Sequence, residues 1–151
     1  MWAMLQRCDR IESVAYSKYK GVATTGWLSQ ETLLFDPFAG ADSSNFFPNE
    51  LYDVVVSVRH NDSYPYDTLW LAMEQPLLEQ NRFICDTVPV AFTNKLGMWR
   101  GDGQRNIFIV ADTIARGIHI NPGWQLAIGH AMSHDTIPGI NDIGVIILKH
   151  K

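Results

Sequence analysis

Leu51-Tyr52-Asp53-Val54-Val55-Val56-Ser57-Val58-Arg59-His60 is the stretch that decides the fold. Tyr52, Val54, Val56 and Val58 fall on one side of an extended chain, and Asp53, Ser57 and Arg59 on the other, with Val55 among them. Side chains of a strand alternate between its faces, so this pattern describes a half-buried strand with one wet face. Downstream, Asn61-Asp62-Ser63-Tyr64-Pro65-Tyr66-Asp67 is rich in turn formers. Alternation then resumes at Thr68–Gln75, where Leu69, Leu71 and Met73 oppose Trp70, Ala72 and Glu74. Two strands joined by a loop follow from this arrangement.

Working outward, further strands are expected over 83–92, 106–112, 123–133 and 143–148, with an earlier one within 26–38 around Leu33, Leu34 and Phe35. Pro89 places the first of these at a sheet edge or a bulge. The best helical spacing, Leu69, Met73, Leu77 and Gln80, is interrupted by Pro76. The expectation is therefore all-β: a single β-sandwich or jelly-roll-like domain of about seven to eight mostly antiparallel strands. Residues 26–151 form the sandwich in this reading, and residues 1–25 a loosely attached lead-in.

Composition narrows the function classes. The 151 residues are 46% hydrophobic and 19% charged, as in an ordinary globular domain. A formal charge of −4, with basic residues scattered, argues against nucleic acid, whose phosphates require clustered Lys and Arg. No apolar run approaches the roughly 20 residues of a membrane-spanning helix.

Catalytic signals are weak. His130 and His134 have the spacing of a helical zinc pair, but Ala131 stands where a metalloprotease needs Glu. On a strand, moreover, four residues span roughly 13 Å, too far for one metal. His60, His119 and His150 are isolated, no Ser sits in a Gly-x-Ser-x-Gly elbow, and Cys85 reads as a small strand hydrophobe. Gly97-Met98-Trp99-Arg100-Gly101-Asp102-Gly103 reads as a tight loop with positive φ, pinned by Trp99. Its Arg100-Gly101-Asp102 tripeptide is short enough to recur by chance. Neither a catalytic residue, nor a metal site, nor a cofactor is expected.

Taken together, these segments resemble the gliding-motility lipoprotein family GldH of Bacteroidetes-type bacteria. The likeness runs from Cys8-Asp9 and Gly26-Trp27 through the strand ending Arg59-His60, then Tyr64-Pro65-Tyr66 and Leu69-Trp70-Leu71. It continues with Asp86-Thr87, the Lys95–Gly103 loop and Ile140-Asn141-Asp142-Ile143-Gly144. The resemblance implies a non-catalytic lipoprotein of the cell envelope, facing the periplasm, anchored through a lipid on Cys8 and associated with other envelope or gliding-machinery proteins. Such proteins carry an apolar signal before the modified Cys. Met1–Arg7 lacks one, and Gln6-Arg7 replaces the small residues usual there, so a signal peptide missing from the sequence is the expectation. A disulfide between Cys8 and Cys85 stays open.

Loops at the ends of a sandwich commonly carry binding, so Tyr64, Tyr66, Trp99 and Arg100 are the expected partner contacts. Folding of these aromatics back onto the core is the competing expectation. A carbohydrate-binding module is the alternative function, with Trp70, Trp99 and Trp124 as stacking platforms if they form an exposed row.

Overall fold

The computed structural model describes residues 14–77 and 82–151. Two antiparallel sheets face each other across one core. The larger has the order β1 (Val14–Gly21), β11 (Ile140–Lys149), β4 (Tyr52–Asn61), β8 (Ile107–Ile118), β7 (Asp102–Gln104). The smaller runs β3 (Leu33–Phe35), β9 (Leu126–His130), β5 (Thr68–Leu77), β6 (Arg82–Ala91). A two-stranded ribbon, β2 (Trp27–Leu28) with β10 (Thr136–Ile137), closes one flank.

Alternation builds the core as the sequence demands. Tyr52, Val54, Val56 and Val58 of β4 are buried beside Ile143, Val145 and Ile147 of β11, and Leu69, Leu71 and Met73 of β5 face them from the other sheet. The all-β sandwich is thus the fold of this chain.

Boundaries differ in instructive ways. The stretch 26–38 is not one strand: Trp27–Leu28 and Leu33–Phe35 belong to different sheets. A turn makes that break, with Glu31 N–H donating to Leu28 O at 3.0 Å, and Gly26, at φ +124, lets β2 start close against β10, since a Cβ there would collide with Thr136. The strand expected over 123–133 is only Leu126–His130, whereas that of 106–112 runs on to Ile118. Register shifts opposite Tyr52–Val55 let this longer strand keep pace with β4.

The lead-in is shorter than 1–25. Val14–Gly21 pairs along β11 and buries Ala15 and Tyr16, so the packed domain already includes Val14. Cys8 lies outside the described residues, as does the Cys85 side chain, and with them the disulfide between the two.

Pro76 sits inside β5, which is a strand throughout and not a helix. Phe92 N–H donates to Asp67 O at 2.7 Å, which fixes the hydrogen-bonding phase of the β5–β6 ladder. Counting along it turns the Pro76 nitrogen away from β6, toward the side where β9 pairs only with Leu71–Glu74. The missing N–H therefore ends the β9 ladder without breaking the β6 one.

Candidate docking surface

The end of the sandwich formed by the 61–67 and 92–101 loops is paved with rings. His60, fully buried at the end of β4, stacks on Phe92 at 4.0 Å and Phe108 at 5.5 Å. Trp99 closes a third side at 5.0 Å, and Tyr64 packs on Phe92 at 4.9 Å. Tyr64 also donates its hydroxyl to Thr68 O at 2.8 Å, which ties the turn to β5. Burial pushes its phenol well above the usual range, so this hydroxyl stays a donor.

A turn with an unusual surface stands on this floor. Asn94 builds it: its Oδ1 accepts from Leu96 N at 2.9 Å and Met98 N at 3.1 Å, and its carbonyl accepts from Gly97 N at 3.0 Å. Asn94 N–H donates to Met98 O at 2.8 Å, and Thr93 bridges to Trp99 below. Gly97 takes φ +79, which suits a residue without Cβ. The turn is held in one shape, yet Leu96 is 83% and Met98 60% exposed at its tip, with Lys95 beside them. Single exposed apolar residues need no explanation, but two projecting from a rigid turn form a preorganised apolar knob.

The sequence-predicted contacts divide around it. Tyr64 is 2% exposed and belongs to the core, which removes it as a surface contact. Tyr66 is half-buried between Tyr64 and His134, at 5.5 and 5.9 Å. Trp99 is half-buried against His60 and Phe108. Arg100 acts as a strut: Nη1 donates to Ala91 O at 2.6 Å, Nη2 to Asp112 Oδ1 at 3.0 Å, and its N–H to Phe92 O at 2.6 Å. It joins the end of β6 to β8. Gly101 follows at φ +80 against Ile109 O, where no Cβ fits.

Leu96 and Met98 went unmarked because apolar residues are read as core. The available signal was Asn94 three residues before Gly97, the mark of a tight turn whose tip must face outward.

Among the described residues, the histidines singled out in the sequence do not come together in one site. His130 is buried with both nitrogens engaged: Nδ1 accepts from Met132 N at 3.3 Å, so Nε2 donates to Trp27 O at 3.0 Å. His134 stacks on Tyr66 instead. Among the described residues no three His, Cys, Asp or Glu converge as metal ligands would. No described helix is long and apolar enough to cross a membrane. Trp70, Trp99 and Trp124 do not make an exposed row, since Trp124 is buried and Trp99 half-buried.

Fold and surface define a β-sandwich domain with a projecting apolar turn. The chain belongs to the GldH lipoprotein family, whose model matches residues 14–147. Neither a curated protein nor a solved structure matches it. The family is not one of known enzymes.

Proposed function

We propose that the chain is a non-catalytic lipoprotein of the cell envelope that works by binding other proteins, in the setting of the gliding machinery that its family resemblance implies. The rigid turn that exposes Leu96 and Met98 carries this reading. Ordering that turn costs nothing at the moment of binding, so most of the apolar burial is realised as affinity. Lipid on Cys8 holds the domain at a membrane, facing the periplasm.

The test uses the full-length protein in its native envelope. Leu96→Ser with Met98→Ser is expected to weaken recovery of cross-linked envelope partners tenfold or more, because each side chain contributes about 1.5–3 kcal/mol when buried. Folding stability should stay within about 0.5 kcal/mol, since both residues are on the surface. Unchanged cross-linking would remove the turn from the interface. In the same preparation Cys8→Ser should move the protein from the detergent phase to the aqueous phase; retention in detergent would sink the anchor.

A further inference from the structure

One flank of the sandwich is unfinished. β6 is the outer strand of its sheet, and β7 covers β8 only at Ile107–Ile109. From Val110 to Ile118 the outer edge of β8 has no strand partner among the described residues. Arg100 spans the two edges at one end through Ala91 O and Asp112. Below this strut the seam opens into a cavity of about 100 Å³. Asp86 and Val88 of β6 face Ile114, Ala115 and Ile118 of β8 across it, with Trp124 in its wall.

Four observations define what fits. First, the ladder phase set by Phe92 and Asp67 makes Asp86, Val88 and Val90 bond to β5. Thr87 therefore turns its N–H and C=O outward, while Pro89, also outward, has no N–H to offer. Free main-chain groups on an edge select an extended backbone. Second, the cavity is somewhat smaller than an engineered one of about 150 Å³ that takes benzene, so it holds one aliphatic side chain. Third, Trp124 is 92% buried (8% exposed), and its Nε1–H has no acceptor among the described residues. Fourth, Asp86 is exposed at the rim and in no ion pair among the described residues.

We infer that this seam receives one extended strand of another protein, which pairs at Thr87, seats an apolar side chain in the cavity and sets a Lys or Arg against Asp86. The inference rests on the protein-binding reading above but uses a different surface, so Leu96→Ser with Met98→Ser leaves it untouched.

The probe is a blocked nonapeptide with Thr at odd positions and Lys, Val, Lys, Val at even ones. Its control carries Glu for Lys. The lysine probe should bind tenfold or more tightly than the control and slow exchange of the Thr87 amide. Thr87→Pro, which removes the outward N–H, and Asp86→Lys, at an exposed position, should each weaken binding about tenfold with unchanged near-ultraviolet circular dichroism. Ala115→Trp, which fills the cavity, should abolish binding if that variant folds. No binding, equal binding of both probes, or binding without Thr87 protection overturns the inference. So does a concentration-dependent dimer lost in Thr87→Pro, which gives the seam to a second copy. Competition of the probe by an alkyl detergent would give it to an acyl chain, with the same consequence.

Discussion

His60 shows how one residue can be both structural and costly. Its Nδ1 donates weakly to Asn61 O at 3.3 Å, which leaves Nε2 as a buried acceptor with no partner among the described residues. Burial pushes its pKa below the ordinary imidazole value, and the bond to Asn61 opposes this only in part. The unfolded chain takes a proton from about pH 6.5 downward, whereas the folded chain resists until lower pH. Stability is therefore complete above that pH and is lost as pH falls toward the folded value. His130, shifted the same way chiefly by burial, adds to the slope. His60→Phe keeps a ring between Phe92 and Phe108 and deletes the orphaned nitrogen. It should stabilise the fold by about 1 kcal/mol at pH 8 and by more at pH 5, leaving a shallower acid slope in urea titrations. A variant less stable at both pH values would show that Nε2 is satisfied by a buried water.

At the scale of elements, the sheet edges outside the unpaired stretch of β8 carry guards, and the guards explain what was legible. β3 and β7 are three residues each, too short to template another chain. β6 carries Pro89 on its open side. β1 is long, but Lys18 and Lys20 register with buried Val145 and Ile143 and so point toward the core side, with Lys20 Nζ 5.5 Å from the Phe35 ring. Lys18→Val with Lys20→Val should keep or raise thermal stability while producing oligomers in sedimentation velocity. A double variant that stays monomeric at high concentration would show that β1 needs no such guard. The same two lysines hid this strand: Val14-Ala15-Tyr16-Ser17-Lys18-Tyr19-Lys20 places charge on the inward row, so it reads as tether. β4, β5 and β11 were legible because each has one apolar row, and β6 and β8 because apolar residues alternate over part of their length. The pairs β2 and β10 were not, because two residues carry no period. Which side chains the end loops expose was not legible. Tyr64 was marked for its ring, which the core uses, while the Asn94 turn that lifts Leu96 out of the core acts through backbone bonds that composition does not display.

Across the whole molecule, the first described strand pairs with the last. Tyr19 lies over Gly144, where a Cβ would strike its ring, and Arg59 covers Tyr19 at 4.9 Å while pairing with Asp142 at 2.7 Å. β1 begins opposite Leu148 and ends opposite Asp142. The chain leading back to Cys8 therefore joins the sheet at the end far from the His60 floor and its apolar turn. Val14, where the preceding chain attaches to the sheet, therefore lies about one strand length, roughly 30 Å, from the end that carries Leu96 and Met98. This arrangement makes β1 part of the scaffold, and truncation distinguishes that from a tether. Removing residues 1–25 deletes the burial of Ala15 and Tyr16 and bares β11, whose inward row holds Ile143, Val145 and Ile147. Burial of Tyr16 alone contributes about 1.5–3 kcal/mol, a sizeable share of the roughly 5–15 kcal/mol that stabilises a domain. A chain starting at Gly26 should melt about 10 °C or more below one starting at Val14, or aggregate through β11 before it melts. The Val14 chain should match the full sequence within about 2 °C. Equal melting of all three would mean that β1 docks on a sandwich already complete without it, and that the attachment point floats free of the core.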